Sequence, residues 1–380
     1  MKKITVFTGS RADYGLLKNL IKKINDSRFY KLELVASSIH FMKDFGKSSK
    51  EIKNDHVKIN FIGKTRLVKN NYNSVINYCG NSMQEFGNIL SKSKTDIVIL
   101  LGDRYEVFSF CVSAFFLKIP IVHIHGGEIT TGAFDDTLRH CITKMSNYHF
   151  VCHDIYKQRV SQLGEPKKNI FNFGAPGIEN IKNTNFLNKK EIFSKFKIPF
   201  NKKRVAVVTF HPETNSKMSP KKQINSLLKG LLSLEKIHYI FTYSNSDPFG
   251  KYFIKKINML KNKKNISLFK TLGTKNYHNL IKVSDIVIGN SSSGIFEAPS
   301  LNTPTLNIGE RQEGREMGRS IFCCKNNPLS IKNNILKIFK KKKINYQNIF
   351  YKKNTSLNIF KKVKQILKDK ISHKKFHDIK

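Results

Sequence analysis

Long hydrophobic runs are absent from this sequence. The most apolar stretch, Val107 to Leu117, ends at Lys118, whereas a membrane-spanning helix needs about 20 apolar residues. The apolar stretch that follows Met1-Lys2-Lys3 is only Ile4 to Phe7, which is too short for a signal peptide. We therefore expect a cytoplasmic protein with no membrane partner.

The sequence also has no Cys-x-x-Cys pair and no framework of paired cysteines. A chain of 380 residues can bury enough apolar surface to fold without disulfides. We therefore expect reduced, mostly structural thiols, as is usual in the cytoplasm. The six cysteines are Cys79, Cys111, Cys141, Cys152, Cys323 and Cys324.

Acidic residues are scarce and tryptophan is absent. The chain has 27 Asp and Glu against 68 Lys and Arg, a formal net charge of +41. Such a charge ordinarily suggests a nucleic acid or an anionic membrane as partner. Here the lysines are spread through every segment with many Asn and Ile, as an AT-rich coding sequence would give, and no RNA-binding signature or zinc finger accompanies them. We expect no nucleic-acid partner, while part of the charge would attract an anionic metabolite.

Short apolar runs alternate with helical patterns along most of the chain, which predicts parallel sheets covered on both faces. The pattern loosens near residues 174–200 and then restarts. We therefore predict an α/β protein of two doubly wound Rossmann-like domains that face a cleft. The first domain would cover residues 1–175 and carry the acid/base residues, residues 176–200 would form a linker, and residues 201–370 would form a nucleotide-binding domain with C-terminal helices.

Titratable side chains follow three neighbouring elements of the first domain. Asp103 and Arg104 end one predicted strand, His123, His125 and Glu128 end the next, and Asp135 opens the following helix. The carboxyl ends of parallel strands share one sheet edge, so these groups should converge there as acid/base candidates. His123 and His125 lie two apart on a strand, so either could instead be a core imidazole. The helical His spacing of metal sites is missing, and we expect no metal.

A Gly/Ser turn in the second domain favours phosphate binding. Ser291 and Ser292 follow a buried strand, and small residues there let backbone N–H groups approach an anion. Glu297, one turn later, could accept hydrogen bonds from a ribose, or simply favour the helix dipole. His211 ends the first strand of this domain. In the first domain, Arg11 could clamp a phosphate, or lie on the surface beside a helix that Asp13 caps.

Seven motifs occur in a recognisable order: Gly-Ser-Arg-Ala-Asp-Tyr-Gly, Gly-Asp-Arg-Tyr-Glu, His-Ile-His-Gly-Gly-Glu, Asp-Asp-x-x-Arg-His, Phe-His-Pro-Glu-Thr, Gly-Asn-Ser-Ser-Ser-Gly-x-x-Glu and Gly-x-Arg-Gln. Over roughly residues 3 to 320 the chain resembles the hydrolysing UDP-N-acetylglucosamine 2-epimerases of sialic and legionaminic acid synthesis. The resemblance implies the glycosyltransferase-B architecture, no metal or other cofactor, a nucleotide-sugar substrate and a homo-oligomer, dimeric or tetrameric. It also implies loss of UDP to give a glycal, then addition of water with inversion at C2.

The resemblance also implies roles for single residues. Asp103, Asp135 and the acid of the His-x-x-Gly-Gly-Glu region would form the acid/base set, with His211 near the phosphates. Many relatives have Glu at the position of His125, so His125 or Glu128 could carry that proton. The nucleotide-sugar contacts would be Arg11, Arg104, Asn245, Ser291, Ser292, Glu297 and Arg311.

Three other functions compete with this one. The same reaction could act on a UDP- or GDP-linked 2,4-diacetamido-2,4,6-trideoxyhexose, because the His125 form resembles a family branch that includes such enzymes. A glycosyltransferase of the same fold would need an acceptor as well. A polyanion-binding module would bind nucleic acid in a salt-sensitive way, although the acids at the sheet edge would repel phosphates.

Overall fold

A computed structural model describes residues 1–43, 47–69, 71–182, 184–199, 204–369 and 374–378. Residues 183 and 200 of the expected linker, and residues 201–203 after it, lie outside the described part. The strands are β1 Lys2–Thr8, β2 Tyr30–Ala36, β3 Phe61–Ile62, β4 Ile97–Leu101, β5 Ile121–Ile124, β6 Tyr148–Val151, β7 Ile170–Asn172, β8 Arg204–Thr209, β9 Ile237–Thr242, β10 Ile266–Phe269, β11 Ile286–Gly289, β12 Thr305–Ile308 and β13 Ile321–Cys324.

Helices separate most of these strands. They are α1 Arg11–Asn25, α2 Ser49–Asn54, α3 Tyr72–Ser93, α4 Tyr105–Phe116, α5 Asp135–Met145, α6 Asp154–Gln162, α7 Pro176–Lys182, α8 Lys189–Lys195, α9 Pro220–Leu232, α10 Gly250–Asn258, α11 Gly273–Val283, α12 Ser293–Phe296, α13 Pro328–Phe339 and α14 Thr355–Lys368. Among the described residues, no helix combines the length and apolarity that a membrane span requires.

The strands form two parallel sheets, one in each compact unit. Unit 1 comprises residues 1–128, 135–180 and 350–380, and its sheet has the order β3-β2-β1-β4-β5-β6-β7. Unit 2 comprises residues 129–134 and 181–349, and its sheet has the order β10-β9-β8-β11-β12-β13. Two doubly wound Rossmann-like units confirm the predicted fold class.

Both faces of each sheet are buried, which explains why the strands read as continuous apolar runs. In β4, Ile97, Ile99 and Leu101 enter one core cluster, while Val98 and Leu100 enter the cluster on the opposite face. Each fully buried side chain of this size contributes about 1.5–3 kcal/mol relative to an exposed one.

The division of the chain differs from the boundaries that we predicted. The segment 350–380 belongs to unit 1, although the predicted second domain ran to residue 370 with the C-terminal helices. The reason is an apolar stripe on α14: Ile359, Val363 and Ile366 are buried in the same core cluster as Leu17 and Leu20 of α1. The predicted linker also contains the helices α7 and α8.

Two strands show the limits of reading apolar runs. The sequence suggests a strand from residue 57 to residue 62, but only Phe61–Ile62 pair, with β2. Strand β13 was not predicted, because its residues are only partly buried at the sheet edge. It pairs in parallel with β12, with Thr305 opposite Ile321.

Candidate active site

Each sheet changes the direction of its strand order at one place, and ligands of open α/β sheets bind beyond the carboxyl ends of the strands there. In unit 1 this switch point lies between β1 and β4, and in unit 2 it lies between β8 and β11. The Arg11 and Asp103 motifs follow the first pair of strands, and the His211 and Ser291 motifs follow the second. The two sets of candidate residues thus lie where each fold places its ligands.

Arg139 of α5 joins the acidic residues of unit 1. Its side chain is 1% exposed and forms ion pairs with Asp103 and, at 3.0 Å, with Asp136. It also donates a hydrogen bond of 2.8 Å to the backbone carbonyl of Glu128. The neighbouring carboxylates raise the pKa of Arg139 against the opposing effect of burial, so it remains a cation. Arg139 therefore links the ends of β4 and β5 to the start of α5.

The turn after β5 has an unusual backbone. His125 has a φ of 69°, a left-handed conformation that is uncommon outside glycine. Gly127 has a φ of 78°, and a Cβ there would lie 2.4 Å from the carbonyl oxygen of Tyr156. The turn thus requires glycine at residue 127 and holds His125 in a costly conformation, a feature that often marks functional sites.

This conformation brings His125 onto Glu128. The His125 Nδ1 lies 2.5 Å from Glu128 Oε1, and both residues are buried. The Sγ of Cys152, which follows β6, lies 3.5 Å from the same carboxylate oxygen and 3.7 Å from His125 Nδ1. A carboxylate that accepts from Nδ1 fixes the orientation of the imidazole, which is the arrangement of a positioned general base.

His123 is the structural member of the histidine pair. It is fully buried, with Nε2 2.8 Å from the Gly102 carbonyl and Nδ1 3.1 Å from Thr143 Oγ1. Because the carbonyl only accepts, Nε2 carries the proton and Nδ1 accepts from the threonine. Burial lowers the pKa of His123 to about 3, so the ring stays neutral. His123 supports the loop that carries Asp103.

The remaining candidates of unit 1 each lie at the start of a helix. Asp135 is the first residue of α5 and is 6% exposed. Arg11 is the first residue of α1 and is half-buried. Arg104 is buried, with two guanidinium nitrogens each 3.1 Å from a carboxylate oxygen of Glu106. Arg104 is therefore committed to Glu106, and its predicted contact with the nucleotide sugar stays a prediction.

Asp13 lies close enough to Arg104 and Glu106 for their charges to affect its pKa. One of its carboxylate oxygens accepts from the Gly9 backbone at 3.0 Å, and the residue is 5% exposed. Burial raises its pKa to about 7, a shift that Arg104 opposes and Glu106 reinforces. Asp13 binds backbone inside the loop after β1 and is not a cap on an exposed helix end.

Asn290 plays the joining role in unit 2. It is fully buried and exchanges two hydrogen bonds with the His211 backbone: His211 N donates to its Oδ1 at 2.7 Å, and its Nδ2 donates to the His211 carbonyl at 2.8 Å. Its own carbonyl accepts from Arg311 at 3.2 Å and from Gln312 at 2.8 Å. The ends of β8 and β11 and the loop after β12 are therefore joined through one amide residue.

The ring of His211 is also oriented by neighbouring residues. Its Nδ1 accepts a hydrogen bond of 3.2 Å from the Asn245 backbone, and Asp247 Oδ2 lies 3.7 Å away. The residue is 3% exposed, whereas Asn245 is half-buried. The structure thus brings together His211, Asn245 and Arg311, three of the predicted site residues of unit 2.

The Gly/Ser turn has the predicted position but a shorter helix than expected. Gly289 has a φ of 136°, and a Cβ there would lie 1.9 Å from the Thr209 carbonyl, so only glycine fits. Ser291 and Ser292 are half-buried, and α12 covers only Ser293–Phe296 before a 3₁₀ turn begins. A four-residue helix has little macrodipole, so hydroxyls and local amides would carry most of any anion binding.

Glu297 has a buried partner that the sequence does not reveal. His278 of α11 lies with Nε2 3.0 Å from Glu297 Oε1, and the Glu297 side chain is 11% exposed. Among the residues that the structure describes, Glu297 Oε2 has no such partner. Glu297 is therefore an oriented carboxylate with one oxygen held in place, and it follows the last residue of α12 instead of lying in the first turn of that helix.

Sequence reasoning missed four residues of these groups: Arg139 as the joining cation, Asn290, His278 and Cys152. Arg139 and Asn290 lie inside motifs, which was an available signal. His278 and Cys152 carry no signal in sequence spacing, because each meets its partner across two elements that only the fold brings together.

Comparison with known proteins places the chain in a family. Residues 22–364 match the UDP-N-acetylglucosamine 2-epimerase family. A protein of Campylobacter jejuni subsp. jejuni serotype O:2, named GDP/UDP-N,N'-diacetylbacillosamine 2-epimerase (hydrolyzing), is 38% identical over 323 residues, 84% of each chain. The Polysialic acid biosynthesis protein P7 of Escherichia coli is 34% identical over 385 residues, covering 100% of this chain and 98% of the relative.

A solved structure shows the same fold. It is a UDP-GlcNAc 2-epimerase from Neisseria meningitidis bound to UDP-GlcNAc, with a TM-score of 0.79, 20% identity and coverage of 97% of this chain and 100% of that one. The predicted resemblance is confirmed by the extent of the family match and by the two relatives above 30% identity. The chain belongs to the UDP-N-acetylglucosamine 2-epimerase family.

Proposed function

We propose that this protein is a hydrolysing 2-epimerase that converts UDP-N-acetylglucosamine and water to N-acetylmannosamine and UDP, as a supply reaction for sialic-type acids. The observation that carries the proposal is the group of unit 1 in which Arg139 pairs with Asp103 and binds the carbonyl of Glu128, while Glu128 binds His125. Family membership supports the sugar-nucleotide substrate, and the name of the C. jejuni relative supports the hydrolysing reaction.

The reaction needs two proton transfers at C2 of the sugar. In the first stage a base removes the C2 proton, the C1–O bond breaks and UDP leaves with its electron pair, so that a C1–C2 double bond forms. In the second stage an acid returns a proton to C2 from the opposite face, and water adds at C1 and loses its own proton. The sum is one hydrolysed glycosidic bond and one inverted centre.

Unit 1 supplies groups suited to these transfers. Asp103 is 19% exposed at its side chain and paired on one oxygen with Arg139, which keeps it oriented. His125 is oriented by Glu128 and held by a strained backbone, so its ring position is fixed before substrate binds. Asp135 opens α5 beside Asp136, the second carboxylate partner of Arg139. Two carrier groups on different elements are what an inversion at one carbon requires.

Unit 2 supplies groups suited to the nucleotide. Arg311 and His211 are anchored to Asn290, and Ser291 and Ser292 add hydroxyl groups in the next turn of chain. Glu297, oriented by His278, is a fit for the two ribose hydroxyls. The arginine would neutralise the charge that develops on the departing diphosphate, and the neutral imidazole would donate a hydrogen bond to it through Nε2.

A second substrate has a specific observation in its favour. The C. jejuni relative is named for N,N'-diacetylbacillosamine, a 2,4-diacetamido sugar, and it is 38% identical to this chain. The same two stages would then run on a UDP- or GDP-linked 2,4-diacetamido-2,4,6-trideoxyhexose. The two candidates differ only in the sugar, so one assay compares them directly.

The test is product identification by NMR in heavy water. Purified protein is incubated separately with UDP-N-acetylglucosamine and with each nucleotide-linked diacetamido sugar, with no acceptor present. We expect free N-acetylmannosamine with deuterium at C2, formed in step with UDP. Greater turnover of a diacetamido substrate would select the second candidate. Absence of any free 2-epimer would contradict the proposed reaction and leave a glycosyltransferase or a binding module as the alternatives.

A further inference from the structure

The short segment between two acid/base candidates of unit 1 is itself part of unit 2. Residues 129–134, here called the connecting segment, belong to unit 2, whereas Glu128 directly before them and Asp135 directly after them belong to unit 1. The contacts that hold the segment in unit 2 therefore also bear on the two acids, because a single peptide bond separates each acid from the segment.

The loop after β12 holds one side of the connecting segment. The backbone N–H of Thr131 donates to the carbonyl of Glu313 at 3.2 Å, and the Thr131 hydroxyl donates to Glu313 Oε2 at 2.9 Å. Gly132 lies so close to this loop that a Cβ would be 2.5 Å from the Glu310 carbonyl oxygen and 2.6 Å from the Arg311 nitrogen. Because these are backbone atoms, only glycine fits at residue 132, where the segment touches the chain that carries Arg311.

The loop after β8 holds the other side of the segment. The backbone N–H of Asn215 donates to the Gly132 carbonyl at 3.2 Å, and Asn215 Nδ2 donates to the Thr131 carbonyl, also at 3.2 Å. The backbone N–H of Phe134 donates to the hydroxyl of Thr214 at 2.9 Å. The connecting segment therefore lies against both of the loops that carry the predicted diphosphate contacts.

A buried carboxylate fixes these two loops to each other. Glu213, in the loop after β8, is 5% exposed, and its Oε1 accepts from the backbone N–H of Glu310 at 3.1 Å. A Cβ at Gly309 would lie 1.9 Å from the same oxygen, so the loop after β12 is closely packed on the carboxylate. Gln223 holds the Glu213 backbone through two hydrogen bonds, of 2.9 and 3.1 Å. The two loops and the connecting segment thus form one hydrogen-bonded network, in which a shift of one part moves the others.

We propose that the connecting segment couples nucleotide binding to the placement of Glu128 and Asp135, with Thr131 and Gly132 as its positioning residues. A diphosphate bound by the loops after β8 and β12 would fix those loops, and the segment would transmit this order to the acid at each of its ends. The inference rests on the proposed nucleotide site of unit 2. It assigns to the segment a function in the reaction, although none of its own residues needs to touch the substrate.

Hydrogen exchange of the full chain, with and without a nucleoside diphosphate, tests the coupling. Calorimetry first selects UDP or GDP, whichever binds more tightly. In the parent protein the nucleotide should slow amide exchange at residues 290–294 and 309–313 of unit 2, and also at residues 125–128 and in the first turn of α5. The double variant Thr131→Val/Asn215→Ala lacks both side-chain hydrogen bonds described above. It should keep the slowing at residues 290–294, whereas the slowing at residues 125–128 should fall about tenfold.

Turnover gives a second readout, which a merely structural role of the segment would not reproduce. The double variant should lower kcat about tenfold, while the dissociation constant of the nucleotide changes less than about threefold. Gly132→Ala should lower kcat further, because its methyl group must displace the backbone of the loop after β12. Although these residues belong to unit 2, the loss falls on turnover because the segment ends at the two acids.

Gly87→Ala is the matched control for Gly132→Ala, because a Cβ at residue 87 would meet nothing within 4 Å. It should match the parent protein in exchange and in turnover. Should Gly132→Ala lack the circular dichroism of the folded parent, the double variant decides alone. Slowed exchange confined to unit 2 in the parent, or undiminished slowing at residues 125–128 in the double variant, would overturn the coupling and leave the proposed epimerase reaction standing. Absence of any binding of UDP and GDP would overturn both.

Discussion

The two units join their strand ends by opposite means. In unit 1 a buried cation, Arg139, collects two carboxylates and a carbonyl, so the centre of the group is an ion network. In unit 2 a buried neutral amide, Asn290, exchanges hydrogen bonds with the His211 backbone and accepts from Arg311. The same topology therefore supports a charged group in one half and a neutral framework in the other.

The difference suits two kinds of chemistry, proton transfer in unit 1 and anion binding in unit 2. A buried ion network holds carboxylates at fixed places and perturbs their affinity for protons, which is useful for proton transfer. An amide framework adds no charge, so it can position a cation and hydroxyl groups for an anion without competing for it. We expect changes in unit 1 to act on turnover and changes in unit 2 to act on nucleotide affinity.

The largest expected effect is that of Asp103→Asn. The change removes a carrier carboxylate and preserves its shape, so turnover should fall by at least about 1,000-fold. The dissociation constant of UDP, measured by calorimetry, should change less than about threefold, because the nucleotide framework lies in unit 2.

Asp136→Asn is the matched control for Asp103→Asn. Both carboxylates bind Arg139, and their side chains are 22% and 19% exposed. The control should cost far less turnover. Equal losses in the two variants, or a loss of UDP affinity as large as the loss of rate, would make Asp103 a structural partner of Arg139.

The next effect separates His125 from Glu128. Because Glu128 orients the imidazole through Nδ1, we expect His125 to be the proton carrier and Glu128 its positioning residue. His125→Gln should lower turnover by about 100- to 10,000-fold, and Glu128→Gln by a smaller factor, since a glutamine oxygen still accepts from Nδ1. Steady-state rates and deuterium incorporation at C2 report both. The reverse order of losses would assign the proton to Glu128.

Glu297→Ala tests whether changes in unit 2 act on nucleotide affinity. Loss of an oriented carboxylate that binds a ribose should weaken UDP binding by about tenfold, as one charge-assisted hydrogen bond predicts. Glu235→Ala, at an exposed position of the same unit, is the control. An unchanged dissociation constant for Glu297→Ala would leave Glu297 as a partner of His278 only.

The smallest effect concerns stability and pH. Asp13 has a pKa raised to about 7 in the folded protein, from 3.8. The folded state therefore holds this proton more tightly, and the resulting stability is present below pH 3.8 and is lost as the pH rises through 7. The loss is at most about 4 kcal/mol.

Asp13→Asn removes this titration and keeps an acceptor for the Gly9 N–H. Between pH 5 and pH 8, the thermal midpoint of the variant should fall less than that of the parent protein. The variant should also be the more stable of the two at pH 8. Parallel pH profiles would show that Asp13 is already ionised at pH 5, stabilised by the positive charge of Arg104.

Much of this organisation could be predicted from the sequence, for physical reasons. Strands buried on both faces, such as β4 and β11, read as apolar runs, and ligands of such sheets bind at their carboxyl ends. Asp103, His125, Glu128 and His211 could therefore be named from their places in the chain. The Gly102, Gly127 and Gly289 positions, all with positive φ, mark the turns that carry them.

What could not be predicted depends on contacts between distant elements. The ion pair between Arg104 and Glu106 has no signal in the sequence beyond their closeness in the chain. His278 meets Glu297, and Cys152 meets His125, without any sequence spacing that relates them. The edge strand β13 is only partly buried, so it lacks the continuous apolar run by which the central strands are recognised. The helix after Ser292 ends sooner than its composition suggests.

The return of the chain to unit 1 at residue 350 has a consequence for synthesis on the ribosome. Unit 2 has all of its residues once position 349 is made, whereas unit 1, though begun first, still lacks α14. Until then the face of α1 formed by Leu17, Leu20 and Ile21 lacks the apolar side chains of α14 that pack in the same core cluster. The unit that starts translation thus receives the last segment of its core only near the end of synthesis, and a premature stop near residue 350 would leave an apolar face that favours aggregation.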